Sequence, residues 1–283
     1  MATQGLSLVG FVADQAAAIA HLRNSCVPNP VDKTDAQLVA DWDLAKHHLG
    51  APIPNAGNPQ MTPIPNSHPN IARLLTLPWA PYFLNLIGLG ASFQMVEIDP
   101  LLAFQFTVDT ERSNGHCGNF GNPPTEQELF DCCLPVELSK DEIHVSQQGQ
   151  NLVLKSRSLN LTVVAEGPIP NVANTIGLQF NWTLPFVHVV RFNGRCYLHN
   201  GYHRAYGVRA AGAMMMPCMF RDVQTADAVG IRADGQTFSE GLLASQNPPT
   251  LAHFKVDRAL PVMLKRTTRI LHVSWSQHTM YDE

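Results

Sequence analysis

The 283-residue chain reads as a mixed α+β protein, with a helical N-terminal third ahead of a mainly β remainder. Three observations predict this. The tetrapeptide Thr34-Asp35-Ala36-Gln37 has the form of a capping box and opens an apolar-periodic run that Gly50 ends. Residues 142–167 alternate polar and apolar side chains, as half-buried antiparallel strands do. Further on, PFVHVVRF and RCYLHN flank Asn193-Gly194, the dipeptide favoured in type I′ hairpins because both central residues take positive φ.

In chain order, Ala13–Arg23 carries a first helix and the capping box a second. Residues 51–70 hold six prolines, which fix φ and remove backbone donors, so this segment reads as a connector. Residues 71–90 are strongly apolar, but Pro78 and Pro81 divide them into two short helical pieces. Trp79, Tyr82 and Phe83 there read as a core patch. From Ser92, SFQMVEIDP and LLAFQFTVDT read as strands. Residues 111–135 read as a loop around a short helix near Thr125–Cys132. Two or three antiparallel strands with a turn near Gly149 follow, then a loop over 167–175. The hairpin runs into Gly201, a helix over 202–211, a stop at Gly212 and the strand MMMPCMF. The tail, 262–276, alternates again as strand. On the helix, spacing sets Ala205 and Val208 on a packing face, with Tyr202, Tyr206 and Arg209 on an adjacent one. The expected organisation is a helical, proline-rich region at 1–90 packed on an α+β domain at 91–283, with an insertion at 110–180.

Composition narrows the function. Hydrophobic residues at 45% and charged residues at 15% describe a folded chain with a full-sized core. The net charge of −4 and pI near 6.3 disfavour nucleic acid as the main partner, since phosphate neutralisation needs a basic surface. No segment reads as a signal peptide or an uncharged membrane span, and six cysteines then point to reduced thiols in a cytoplasm. His116, Cys117, Cys132, Cys133 and His144 invite a metal reading, but their spacing matches no zinc knuckle; no metal site is expected, and the cysteines read as core. Nucleophile elbows, Walker loops and H-E-x-x-H are absent from the sequence.

One stretch carries a chemical argument: Asn200-Gly201-Tyr202-His203-Arg204, where a strand turns into a helix. A helix start exposes unpaired N–H groups and the positive end of the dipole, which favours an anion. In this reading Gly201 allows close backbone approach, Asn200 caps the helix or takes a left-handed conformation at the turn, Arg204 supplies a planar fork of donors, and His203 adds a donor able to gain charge. The expected ligand is a nucleotide or a phosphorylated small molecule.

The same stretch resembles the second box of the ParB/sulfiredoxin-like superfamily: a strand, an (N/D)G-x-(H/R)-R turn opening a helix, a glycine, and a strand running through a proline. Gly212 and Pro217 stand in the later positions. MVEIDPLLAFQ at 95–105 is similar to that superfamily's first box, with Asp99-Pro100 and Gln105 in comparable positions; together the two likenesses cover 92–109 and 186–221. The resemblance implies a ParB/sulfiredoxin-like mixed α+β core; the long antiparallel insertion at 110–180 between the boxes departs from compact members of that superfamily, and the helical N-terminal extension is added to the core. It also implies ATP or CTP with Mg²⁺ as ligand. Asn200, Gly201, Tyr202, His203 and Arg204 would bind it, and Glu97, Asp99 and His203 would be catalytic. Tyr202 stands where sulfiredoxins carry their cysteine, which disfavours sulfinic-acid reduction. No helix-turn-helix follows residue 221, unlike partition proteins. The implied activities are a phosphotransferase or nucleotide hydrolase, a non-catalytic nucleotide-gated module, or a DNA-binding or nuclease-like protein.

Overall fold

The structure, a computed structural model, describes residues 2–27, 33–78, 80–135, 144–156, 161–168, 176–182, 186–232, 235–265, 269–274 and 276. The chain divides into two compact units: 1–137 with 185–265, and 138–184 with 266–283.

The larger unit opens with a strand, β1 (Ala2–Ser7), then helix α1 (Gln15–Ser25), a two-residue strand β2 (Cys26–Val27) and helix α2 (Asp35–His48). Asp14 caps α1 by accepting from the Ala17 amide at 2.7 Å, and Thr34 with Gln37 forms the predicted capping box on α2. The proline-rich connector contributes β3 (Met61–Pro63). It is followed by α3 (Pro69–Leu74) and α4 (Ala80–Gly88), the two predicted short helices. Phe83 is buried against Phe93 and Phe186, and Tyr82 packs edge-on to Phe186, as a core patch should; Trp79 lies outside the described residues.

Strand β4 (Ser92–Glu97) is as predicted. LLAFQFTVDT, however, yields only β5 (Thr107–Asp109), because helix α5 (Thr110–Cys117) begins at once. Asp109 caps α5, its carboxylate accepting from the Arg112 amide at 2.8 Å. Helix α6 (Glu126–Cys133) has a second capping box, Thr125 with Glu128.

The smaller unit follows: β6 (His144–Gln148), β7 (Asn151–Ser156), β8 (Leu161–Pro168) and β9 (Ile176–Trp182), all in antiparallel pairings. Most of the predicted loop at 167–175 lies outside the described residues.

The chain returns to the larger unit with β10 (His188–Phe192), β11 (Arg195–Asn200), α7 (Tyr202–Ala210) and β12 (Met215–Asp222). Asn193 and Gly194 both take positive φ, as the I′ turn requires. Helix α7 ends in a Schellman pattern, with the Ala213 amide on the Val208 carbonyl (3.0 Å) and the Gly212 amide on the Arg209 carbonyl (2.9 Å). Two short helices, α8 (Ala226–Val229) and α9 (Glu240–Leu243), precede β13 (Leu260–Lys265). The tail strand β14 (Arg269–Ser274) pairs with β7 in the smaller unit.

Two sheets build the larger unit. One has the order β2-β13-β1-β5; the other runs β11-β10-β12-β4-β3 and contains one parallel pair, β10 with β12. The expected division at residue 90 does not occur, because strands from the first ninety residues are built into both sheets. β1 pairs with β13 across almost the whole sequence, and β3 is the edge of the second sheet. The inserted antiparallel region begins at 138 rather than 110, since α5 and α6 belong to the larger unit and pack on α7. The main core of the larger unit gathers Leu102, Phe104, Val189, Leu198, Tyr202, Ala205 and Val208, among others. A second cluster sets Trp42 of α2 and Leu22 of α1 near Leu260 and Leu264 of β13.

Candidate functional site

The predicted site sits where β11 hands the chain to α7. Asn200 turns its side-chain oxygen onto the Gly201 amide (2.9 Å), and Gly201 itself holds φ +96°, a left-handed conformation that disfavours any side chain. A Cβ at this position would lie 2.9 Å from Val187 Cγ2 and 3.0 Å from Val187 Cα. The glycine is therefore fixed by its fit against Val187, not by room for a ligand. That corrects the expectations for Asn200 and Gly201: the amide is bonded within the turn, and the close neighbour is the protein's own backbone.

Tyr202 is corrected as well. Its side chain is 3% exposed, its hydroxyl accepts from the Phe104 amide (2.9 Å), and its ring meets Phe104 and Phe254 edge-on. It shares the core face with Ala205 and Val208, where the spacing sets it beside Tyr206 and Arg209. Only its backbone amide remains at the helix start. Helix α7 has no side-chain cap, and its first intrahelical acceptor, the Gly201 carbonyl, serves Ala205 (2.9 Å). The amides of Tyr202, His203 and Arg204 precede that bond, as the first amides of any helix do.

His203 is half-buried. Burial drives its pKa down to about 3, with Arg112, His116 and Arg204 adding their positive fields. It is neutral at neutral pH, so it offers an N–H but no charge, contrary to expectation.

Arg204 is the residue that stands out. It is 9% exposed, and burial lowers its pKa while Cys132 and Cys133 oppose that shift. Among the described residues its guanidinium has no hydrogen bond or ion pair. The buried side-chain polar atoms without partners belong to His48, His188, Arg221, Asn247 and His253, not to Arg204. Arg112, exposed on α5, likewise has no ion pair among the described residues and adds a second positive charge to the same neighbourhood.

The thiols around Arg204 form a cluster that spacing alone did not reveal. Cys117 on α5 and Cys132 on α6 approach to 3.2 Å between sulfurs, and Cys133 is fully buried beside them. Hydrogen bonds from Cys117 and then Cys133 pull the Cys132 thiol far below its ordinary range, against burial, with Arg204 and His116 helping. The same interaction pushes Cys117 up. Of the three thiols, Cys132 is the one whose neighbours favour losing the proton. The sequence held a hint in the recurrence of cysteine at 117, 132 and 133. What it hid was α5, which turns a Gly- and Asn-containing stretch into a helix lying along α7.

Glu97 and Asp99 do not join His203. Asp99 forms an ion pair with Arg209, whose Nη2 donates to Oδ2 at 3.2 Å, while Glu97 accepts from the Gln60 amide at 3.1 Å. Arg209 is in the last turn of α7, about 9 Å along the helix axis from His203 by the rise per residue. Glu97 pairs in register with Met215 at the start of β12, also beyond the C-terminal end of α7. The expected catalytic trio is thus split between the two ends of one helix. These carboxylates do not fit a Mg²⁺ held against phosphates at the α7 start. Among the described residues no group of three His, Cys, Asp or Glu side chains is arranged to hold a metal ion.

A recess of about 290 Å³ lies elsewhere, at the β10–β11 turn, lined by Arg191, Asn193, Asp222 and Gln224; Arg191 and Asp222 neutralise each other across it through two hydrogen bonds, 2.6 and 3.0 Å. No helix among the described residues is long and apolar enough to cross a membrane. Comparison with protein-family models, curated proteins and solved structures finds no match.

Proposed function

We propose that the chain binds the phosphate end of a nucleotide or other phosphorylated small molecule at the start of α7, and that it does so as a binding module without turnover. The observation that carries this is Arg204: a largely buried arginine with no carboxylate partner and no hydrogen bond among the described residues, at the start of a helix. Burying a cation without a carboxylate partner is costly, so such an arrangement favours an added anion. The lowered Cys132 thiol offsets at most one charge. Arg204 and Arg112 supply two positive ones, and the open amides of α7 add the helix dipole. A bidentate fork beside helix amides suits phosphate oxygens.

Binding without phosphoryl transfer follows from the acids. Asp99 is engaged by Arg209 and Glu97 by Gln60, so neither serves as a base beside His203. The resemblance to the ParB/sulfiredoxin-like boxes supports a nucleotide as ligand, ATP and CTP being the first to try.

A thermal-shift panel of pyrophosphate and nucleoside triphosphates tests the reading. A ligand at a hundred times its dissociation constant adds about 2.7 kcal/mol to the wild type. Arg204→Met, which keeps the apolar stem, is expected to lose that gain, and Arg112→Ala to weaken it. No release of γ-phosphate should accompany binding. A panel in which no anion raises the melting temperature, or in which Arg204→Met responds as the wild type does, overturns the proposal.

A further inference from the structure

The thiol cluster points to chemistry that anion binding does not use. Of the six free cysteines, all buried, Cys26, Cys196 and Cys218 have their thiols pushed up by burial and serve as core filler. Cys117 and Cys132 differ in geometry. They come from separate helices, meet sulfur to sulfur at 3.2 Å, and sit under the positive field of Arg204. A disulfide needs about 2.05 Å, so the two sulfurs stand roughly 1 Å from bonding distance. Cys133 is a poor competitor for either. It follows Cys132 on α6, and consecutive Cα atoms about 3.8 Å apart are closer than a disulfide ordinarily spans, while Cys133 is itself fully buried.

We infer that Cys117 and Cys132 form a redox-active dithiol, in which Cys132 attacks a hydroperoxide and Cys117 closes an intrachain disulfide. In the first step the Cys132 sulfur takes the distal oxygen of the peroxide. The O–O bond breaks, a sulfenic acid forms, and the leaving oxygen departs as water or an alcohol once protonated. In the second, the Cys117 sulfur attacks the Cys132 sulfur, the S–O bond breaks, and the hydroxyl leaves as water with the Cys117 proton. Two thiols lose two electrons and the peroxide gains them. Cys132 is suited to attack because the thiolate is the nucleophile, and the Arg204 guanidinium stabilises it where a carboxylate would oppose it. Both residues retain slight exposure, 6% for Cys117 and 7% for Cys132, and hydrogen peroxide is little larger than water. The short S···S approach does not depend on any ligand at α7.

The experiment treats the full chain with a few equivalents of hydrogen peroxide at neutral pH, quenches, denatures and alkylates. Cleavage at Glu126 or Glu128 separates Cys117 from Cys132. The expected product has lost two hydrogens and carries a Cys117–Cys132 cross-link that a dithiol reductant reverses, with Cys26, Cys196 and Cys218 still alkylated. Cys117→Ser should stop at a sulfenic acid on Cys132 that dimedone traps, and Cys132→Ser should leave Cys117 reduced. Full alkylation of all six thiols after peroxide overturns the inference. So do oxidation spread evenly over the six, a Cys132–Cys133 bond, or a wild-type product oxidised at Cys132 without the cross-link. The wild-type map decides the matter even if a variant does not fold.

Discussion

The sequence motif sets Gly201 and Tyr202 close to a ligand, and both turn out to be held by the protein itself. Gly201→Ala forces a side chain into the left-handed region and against the Val187 backbone, two penalties of about 1–3 kcal/mol each, so a loss of about 2–6 kcal/mol is expected in urea denaturation. Tyr202→Phe strands the Phe104 amide and should cost about 1–3 kcal/mol while leaving anion affinity unchanged, which separates a core role from a binding role. Of the predicted five, His203 and Arg204 are the two whose side chains have no core or turn hydrogen-bond partner among the described residues, and Arg204 is the one that carries charge. A motif read in one dimension records which residue types recur around a turn; it does not record which way each side chain leaves the backbone.

At the level of elements, the close approach of α5 to α7 is what gathers Arg112, the thiols and Arg204. Gly207 makes it possible: a Cβ there would lie 2.6 Å from Cys117 Sγ and 3.1 Å from the Ser113 carbonyl oxygen. Helix propensity favours Gly207→Ala by about 1 kcal/mol, whereas overpacking costs about 1–3 kcal/mol. The net expectation is a destabilised protein, read as a lower urea midpoint, with peroxide cross-linking of Cys117 and Cys132 slowed as α5 is pushed away. The elements that were legible in the sequence had local signals: the capping box at Thr34, the proline-split helices, the Asn193-Gly194 hairpin and α7 itself. β1, among those missed, had none: it is a strand because β13, more than 250 residues later, supplies its partner, and local pattern carries little of that information. α5 had only the Asp109 cap, inside a Gly- and Asn-containing stretch, and its packing on α7 supplies the rest.

Across the larger unit, several histidines are buried neutral, which fixes the direction of acid sensitivity. His188 and His253 are 5% and 0% exposed, each has an unpartnered Nε2, and burial first, then neighbouring positive charge, lowers their pKa values to about 3 and about 4. Unfolded, they titrate near 6.5. Below that value the unfolded chain binds protons that the folded one refuses, so the stability they contribute is complete above pH 6.5 and drains away as pH falls toward 4 and 3. Between pH 7.5 and 5.5 each should remove about 1 kcal/mol, seen as a falling melting temperature that His188→Gln flattens in part. The α+β class was readable from the sequence, whereas the joining of the chain's two ends through β1 and β13, and of its tail to the inserted strands through β14 and β7, was not. The claim on which the functional account stands is that α7 begins at an anion site. Titrating ¹⁵N-labelled protein with pyrophosphate tests it most directly. The account predicts saturable shifts confined to the Tyr202, His203 and Arg204 amides and the Arg204 side chain; shifts at Arg191, Asn193 and Gln224 instead, or none at all, would contradict it.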